Sequence, residues 1–315
     1  MKALGFTLIA LAFGCGNYSN EDLEFMNAVP QTADLSVESP RVSTIRPAAQ
    51  DDALKMTFEV TTKMNAGAAG LLALVDKLRT IYPTTRDANT RIWGPWPADG
   101  NPGWQLEFAM TKTLTTTGIP HFDYELVMIP PAGVVIGDGT KSSSQVLGGA
   151  FESTGLARAG WGQMWLAPKE ARDAGAVFKD LEKLDTLTIT YDNRAWPRSL
   201  DMSILNEPPA IATDEAQSAT YQYQRDENGD GSMTFTFLKD AVPGPLGLDT
   251  LSIGSVWRGT GEGRSDISIV AGDGAGTVGW TDCWDVSSHT SYNSRTGEGA
   301  AATCILLPDQ TLMKP

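Results

Sequence analysis

The segment ATYQYQRDENGDGSMTFTF, residues 219–237, contains two short runs in which apolar and polar side chains alternate. Before the DENGDG sequence, Tyr221 and Tyr223 alternate with glutamine; after it, residues 233–237 alternate large apolar side chains with threonine. A period of two is typical of a β-strand with one buried face, and Asp, Asn and Gly are the residues of tight turns. The segment therefore predicts an antiparallel hairpin.

The same pattern extends in both directions along the chain. Residues 251–257 and 266–270 alternate around the glycine-rich turn 259–263. The connections are mostly too short for parallel crossovers, so we predict a mainly β protein with a large antiparallel meander, forming a curled sheet, a sandwich or a barrel. The other predicted strands are residues 91–93, 104–113, 121–129, 146–152, 161–167, 186–191, 200–205, 277–282, 288–292 and 300–306.

Two segments predict helices that pack on this sheet. Residues 68–82 carry leucine, valine and isoleucine at helical spacing opposite Asp76, Lys77 and Arg79, and Pro83 follows. Residues 54–63 are ambiguous because they are rich in β-branched side chains. Residues 168–183 form the second predicted helix, which begins with proline.

The N-terminus has the features of a secretory signal. Lys2 is followed by an uncharged run that ends in Ala12-Phe13-Gly14-Cys15. A small residue before cysteine is typical of lipoprotein processing, although a lipobox usually has leucine where Ala12 stands. We therefore predict a signal peptide at residues 1–14 and a lipid anchor on Cys15. Ordinary cleavage nearby or an uncleaved anchor are the alternatives.

After the anchor, residues 15–50 are polar and interrupted by proline, which predicts a tether and linker before a single β-rich domain at residues 51–315. Gly16, rather than aspartate, follows the cysteine, a pattern of outer-membrane sorting. The formal net charge is −14. Such a surface disfavours nucleic acid, whose binding depends on Lys and Arg, and is compatible with cationic ligands or simply with solubility.

Cysteine usage is consistent with an oxidising compartment. With Cys15 lipidated, Cys283 and Cys304 remain as a pair, which favours a disulfide. Closing a loop of about 20 residues contributes about 3 kcal/mol in the chain-entropy model. Two free thiols or a metal site are the alternatives.

Three groups of motifs carry a resemblance to a known family. They are Asp22-Leu23-Glu24-Phe25; Arg91-Ile92-Trp93-Gly94-Pro95-Trp96; and Gly261-Glu262-Gly263-Arg264-Ser265-Asp266 with Cys283-Trp284-Asp285. With them the chain resembles secreted lipoproteins of the myxobacterial type. The resemblance implies a cell-envelope lipoprotein and no particular biochemical activity.

One turn resembles the opening of a calcium loop. Asp226, Asn228 and Asp230 alternate as oxygen ligands and Gly231 stands at the sixth position, but Phe237 occupies the place of the bidentate glutamate. The sequence is compatible with a weak calcium site or with a turn that binds no metal. The glycine-rich segments 137–142 and 259–263 lack the spacing of nucleotide-binding loops and predict turns.

Tryptophan supplies the other candidate site. Aromatic rings with Asp and Asn beside them can bind sugars or peptides, although core packing is their commoner role in a sheet. The candidate ligand-binding residues are Trp93, Trp96, Trp104, Trp257 and Trp284.

Catalytic patterns are weak. The only histidines are His121 and His289, and neither a serine-hydrolase elbow nor a zinc-protease helix occurs. Asp282 and Asp285 beside Trp284 are the remaining acid–base candidates, and Arg264 with Asp266 predicts a structural ion pair. The sequence favours a non-enzymatic, membrane-anchored binding or scaffolding protein without a cofactor. A carrier of lipid or another small hydrophobic ligand, and a glycan-binding or glycan-active protein, are the alternatives.

Overall fold

One antiparallel sheet organises the molecule. The structure, a computed structural model, describes residues 19–40, 53–78, 80–154, 159–179, 181–206, 218–239, 249–276, 279–301 and 304. Across these residues, fifteen strands follow one another in sequence order, each hydrogen-bonded to its neighbours in the chain. β1 and β15 each pair on one side only, so the sheet is open. The predicted meander is confirmed, and it does not close into a barrel.

Most strand bounds differ from the predicted ones by a few residues, β1 and β15 were not predicted, and residues 300, 301 and 304 of the predicted strand 300–306 are not in a strand. The strands are β1 (Thr85–Arg86), β2 (Thr90–Pro97), β3 (Gln105–Leu114), β4 (Pro120–Ile129), β5 (Ser144–Ser153), β6 (Gly160–Leu166), β7 (Leu184–Asp192), β8 (Arg198–Asn206), β9 (Ser218–Arg225), β10 (Gly231–Lys239), β11 (Asp249–Trp257), β12 (Gly263–Ala271), β13 (Trp280–Trp284), β14 (Thr290–Asn293) and β15 (Glu298–Gly299). The strand predicted at residues 91–93 continues to Pro97 in β2, where the register shifts between Trp93 and Trp96. Of the predicted strand 300–306, residues 302, 303, 305 and 306 lie outside the described ranges.

Alternation assigns one face of the sheet to the core. In β4, Phe122, Tyr124, Leu126 and Met128 are buried, whereas Asp123 and Glu125 between them are exposed. The other central strands repeat this period of two, and their buried side chains join one continuous hydrophobic cluster. We call the opposite, largely polar side the outer face.

Helices α1 (Asn20–Asn27) and α2 (Ala53–Leu78) cover the core face. Ser19 caps α1 with a capping box, and Phe25 packs edge-on against Phe122 of β4 with the ring centroids 5.4 Å apart. The short helical turn Thr32–Asp34 follows α1. No helix of the described residues is long and apolar enough to cross a membrane.

Helix α2 starts earlier and ends earlier than predicted. Residues 54–63 are helical despite their β-branched side chains, because Leu54, Met56 and Val60 are buried in the core. The threonine hydroxyls bond to carbonyls of the preceding turn; Thr57 Oγ1 donates to Ala53 O at 2.8 Å and Thr62 Oγ1 to Phe58 O at 2.8 Å. Ile81 and Tyr82 lie beyond the helix and are exposed. The helix therefore covers residues 53–78 rather than 68–82.

The second predicted helix, residues 168–183, is wrong in length. Helix α3 covers only Lys169–Asp173. Gly175 adopts a positive φ of 97°, which ends the helix, and the side chain of Asn101 then binds Val177 through both its backbone N–H and its carbonyl. These side-chain bonds compete with further helical turns.

Polar contacts fix α2 on the sheet. Thr57, Ser255 of β11 and Ser265 of β12 form a buried chain of hydroxyls, with oxygen separations of 2.7 and 2.6 Å. At the first turn of α2, Ala53 N donates to Asp282 Oδ2 of β13 at 2.9 Å. The sheet therefore supplies a cap for the helix.

The predicted disulfide is confirmed: Cys283 of β13 bonds to Cys304, with Cα atoms 5.4 Å apart. It ties the C-terminal segment to a buried position of the sheet. The predicted signal peptide, Cys15 and residues 41–50 of the predicted linker lie outside the described residues. Residues 19–40, predicted as part of the tether and linker, instead belong to the folded body, because Phe25, Leu35 and Val37 are buried in its core.

Candidate functional site

A groove of about 500 Å³ lies on the outer face across strands β3 to β6. The small side chains of Ala109 and Ala150 leave the space for it, and Gly149 lines it with its backbone. The larger lining residues offer hydrogen-bonding groups and two aromatic rings, of which that of Tyr124 is buried: Thr111, Asp123, Tyr124, Glu125, Gln145, Gln163 and Trp165. The groove is therefore open, polar and partly aromatic.

Strand register brings these side chains together. Glu125, Gly148 and Trp165 occupy one row across β4, β5 and β6, and Asp123, Ala150 and Gln163 occupy another. Directly opposed side chains in antiparallel strands have Cβ atoms about 4.5–5.5 Å apart. A side chain at position 148 would collide with the indole of Trp165, so the ring lies over the backbone of Gly148. Glycine here is what gives the ring its position.

A second recess, of about 740 Å³, adjoins the groove and shares Gln145 and Trp165 with it. It is bounded by the loop before β5, by α3 and by strands β7 and β8. Glu170 of α3 pairs with Lys141 of the loop and accepts a hydrogen bond from Ser144 Oγ at 3.1 Å. These bonds hold α3 against the loop.

Beside the groove, His121 lies between two carboxylates on the outer face. Its Nε2 is 3.2 Å from Asp123 Oδ1, and its Nδ1 is 3.3 Å from Glu152 Oε1. Trp161 Nε1 donates to Glu152 at 3.0 Å. Asp123 and Glu125 are exposed, so the groove lacks the water-excluded surroundings in which acid–base catalysts usually act.

The tryptophans chosen from the sequence are in the core. Trp93, Trp104, Trp257 and Trp284 are each 5% exposed or less, and Trp96 is partly buried against the same cluster. Their indoles serve the fold; Trp284 Nε1, for example, donates to Gly261 O at 2.9 Å. The alternative in which these rings form a surface platform is wrong, because the fold packs them in or against the core.

Trp165 is the ring that the sequence reasoning missed. In β6, Met164 and Leu166 are buried, so Trp161 and Trp165 face outward by alternation. Reading the period through residues 160–166 would have identified them, whereas clustering tryptophans by proximity in the sequence did not.

The residues of the predicted calcium turn bind backbone amides. Asp226 Oδ1 accepts from Asn228 N at 2.9 Å and Asp230 N at 3.0 Å, and Asp230 Oδ1 accepts from Gly259 N at 2.9 Å. These bonds are typical of a turn and link it to the next hairpin. In the described ranges no three His, Cys, Asp or Glu side chains are arranged to hold a metal ion. Calcium binding stays a prediction.

The acid–base candidates have structural contacts. Asp282 is buried and caps α2, and Asp285 Oδ1 accepts from Ser287 N at 2.8 Å and His289 N at 3.0 Å within a turn. The predicted ion pair is present, with Arg264 Nη2 2.8 Å from Asp266 Oδ1.

No protein-family model, curated protein or solved structure matches this chain. The resemblance to myxobacterial-type lipoproteins therefore stays a prediction. The groove has to be interpreted from its own chemistry.

Proposed function

We propose that the protein is a non-enzymatic binding protein whose ligand is a hydroxyl-rich chain, a glycan, held in the groove on the outer face. The observation that carries this proposal is the position of Trp165 over Gly148, with Asp123, Glu125 and two glutamines lining the same space. An indole face packs against the C–H surface of a sugar ring, while carboxylates and amides bind its hydroxyls.

The electrostatics favour a neutral or cationic glycan. The chain has a net charge of −14, and the groove itself carries two carboxylates. A polyanionic ligand would meet like charge at both levels. The partner is therefore proposed to be a glycan without a high density of phosphate, sulfate or carboxylate.

The carrier alternative has less support. A carrier needs an apolar cavity, and the core face is occupied by buried side chains from both sheet and helices. The groove and its adjoining recess both involve outward-facing side chains such as Trp165.

We also propose that a lipid on Cys15 holds this binding face at the outer membrane. Helix α1 begins at Asn20, only a few residues after Cys15, and it is fixed to the sheet by its own contacts. A tether this short would keep the folded body close to the bilayer.

An array screen first shows which glycans bind. Calorimetry with cellohexaose, an uncharged hexasaccharide, then measures the affinity and tests the glycan proposal. We expect Trp165→Ala to weaken binding about tenfold, because an aromatic contact worth about 1.5 kcal/mol changes an equilibrium constant by that factor. Trp161→Ala is the matched control, since it removes an equally outward ring on the same strand outside the groove. Unchanged affinity after Trp165→Ala, or no glycan bound by the wild type, would refute the proposal.

A further inference from the structure

The turns of the meander alternate between the two ends of the strands. Because the strands pair in sequence order, every second turn lies at the same end of the sheet. The turns at residues 87–89, 115–119 and 193–197 therefore share one end. Helix α1 begins at this end, since Asp22 Oδ2 in its first turn is 3.4 Å from Arg86 Nε, next to the first of these turns. We call it the tether end.

The tether end is also the end closest to the proposed lipid. Ser19 caps α1, and the four residues from Cys15 to Ser19 span at most about 14 Å when fully extended. Strand β4 has 10 residues, which at about 3.3 Å each place its far end about 33 Å away. A bilayer that holds a lipid on Cys15 is therefore nearest to the tether end of the sheet.

The tether end exposes side chains that favour the boundary between water and lipid. Trp161 and Trp196 are the two most exposed tryptophans of the chain, at 37% and 39%. Leu114 and Ile119, on either side of the β3–β4 turn, are exposed as well. Single exposed apolar residues are ordinary, but these four lie at one end. The ring of tryptophan is amphipathic and is enriched at the level of lipid headgroups.

The charges of these turns suit a layer of phosphates. The β3–β4 turn carries no charge, and residues 193–198 include two arginines and no carboxylate. Arg198 lies over the ring of Trp196, 4.4 Å from its centroid, and a guanidinium can bind a phosphate through two hydrogen bonds. The neighbouring Asp192 is paired with Arg194 at 2.6 Å. In a chain with a net charge of −14, these turns are therefore a part of the surface that an anionic membrane does not repel.

We propose that Leu114, Ile119, Trp161, Trp196 and Arg198 form a membrane-docking surface that contacts the phospholipid headgroups of the bilayer carrying the anchor. This inference rests on the proposed lipid on Cys15 and adds the orientation of the folded body. The β9–β10 turn, at the same end, contains three carboxylates, so the contact is confined to the half of the sheet nearer α1. The strands then stand upright on the bilayer, and the groove on the outer face opens to the side.

Fluorescence quenching tests the docking surface with the lipidated protein. The protein is bound to vesicles of phosphatidylethanolamine and phosphatidylglycerol, with or without phosphatidylcholine brominated on its acyl chains, since bromine quenches tryptophans that lie in the membrane boundary. We expect the brominated lipid to lower the emission of the wild type. The double variant Trp161→Phe/Trp196→Phe should lose most of this quenching.

Trp165→Phe is the matched control for that variant. Trp165 faces outward on the same strand as Trp161 but lies four residues, or about 13 Å, farther from the tether end. Quenching should therefore be unchanged in Trp165→Phe. An unquenched wild type overturns the proposal, and so does quenching that depends on Trp165, because the outer face rather than the tether end would then lie on the membrane.

Added tryptophans give a second measurement that does not depend on removing a ring. Ile119→Trp should add emission that brominated lipid quenches. Val135→Trp is its control, because Val135 is also exposed but lies in the loop between β4 and β5, at the opposite end of the strands. Its added emission should not be quenched, and equal quenching of the two added rings would overturn the assigned orientation.

Mass spectrometry of the N-terminal peptide in the same samples reports on the anchor separately. If Cys15 is lipidated but Trp161 and Trp196 are not quenched, the anchor stands and the docking surface fails. If Cys15 is unmodified, the anchor fails, and the docking surface stands only if the protein still floats with these vesicles in a density gradient.

Discussion

Asp22 and Arg91 form an ion pair inside the core, with Arg91 Nε 2.7 Å from Asp22 Oδ1 and both side chains no more than 3% exposed. The guanidinium also lies over the ring of Phe25, 4.8 Å from its centroid. These contacts join α1 to β2. Two of the motifs behind the family resemblance therefore meet in space, which their separation in the sequence gave no means of predicting.

Removing one partner of this pair should be costly. We expect Asp22→Ala to lower the free energy of unfolding by about 3–5 kcal/mol, because the buried guanidinium of Arg91 would lose its buried counter-charge and keep only the exposed Glu21, whose Oε2 is 3.4 Å away. Glu24→Ala is the control: its pair with Lys112 is more exposed, and such pairs contribute about 0–1 kcal/mol. Urea denaturation of both variants measures the difference. Equal losses of unfolding free energy would contradict a special contribution of the buried Asp22–Arg91 pair.

The same pair sets a pH dependence. Burial raises the pKa of Asp22, but hydrogen bonds from Arg91 and Ser19 and the charges of Arg86 and Arg91 outweigh it, so the pKa is lowered from the usual 3.8. A carboxyl with a lowered folded-state pKa stabilises the fold above its unfolded pKa, and that contribution is lost as the pH falls through the folded value. The stability gap between the wild type and Asp22→Asn should therefore narrow below pH 3.8. Urea titrations at neutral pH and at successively lower pH values measure it; a constant gap would mean that the charge of Asp22 has no part in stability.

Elements were predictable where their period was long and undisturbed. The alternation around Tyr221 and Phe235 identified the hairpin of β9 and β10 because each strand buries one face. The start of α2 was not predictable, since its β-branched residues favour strands and the core contacts that stabilise the helix come from the sheet. Its docking partner Asp282 lies far away in the sequence.

The cap on α2 makes a test at the scale of the element. Asp282→Ala should lower the free energy of unfolding by about 1–3 kcal/mol, because the buried N–H of Ala53 would lose its acceptor. Asp285→Ala should lower the free energy of unfolding by less, since the exposed backbone amides that bind Asp285 can form hydrogen bonds with water instead. Denaturant unfolding of the two variants compares them. If the two variants lose the same unfolding free energy, the bond from Ala53 N to Asp282 stabilises the fold no more than an exposed turn bond does.

For the whole molecule, the sequence predicted the meander but not the site. Short connections between alternating segments leave little choice except antiparallel neighbours. The groove and its adjoining recess depend on the register of β3 to β8, on the small side chains of Ala109 and Ala150, and on the position of α3 at one end. None of these is visible in a local pattern, so a buried set of tryptophans was chosen in place of Trp165.

Anchoring concerns the whole chain and has its own test. Expression in a bacterium that processes lipoproteins should give a membrane-bound protein whose N-terminal residue is a lipid-modified Cys15. Cys15→Ala should remove the modification and release the folded domain, or leave an uncleaved precursor. Mass spectrometry of the N-terminal peptide distinguishes these products, and an unmodified Cys15 in wild-type protein would exclude the anchor.

Each strand pairs only with its neighbours in the sequence, so the pairing pattern by itself does not fix the number of strands in the sheet. A hairpin inserted between two central strands would pair with one strand on each side, and the sheet would gain two strands. The edge strands limit the sheet, because β1 and β15 contain two residues each and present few unpaired backbone groups to a further strand. A variant with one hairpin more or fewer should therefore still pair every interior strand, provided that its edge strands stay as short as β1 and β15.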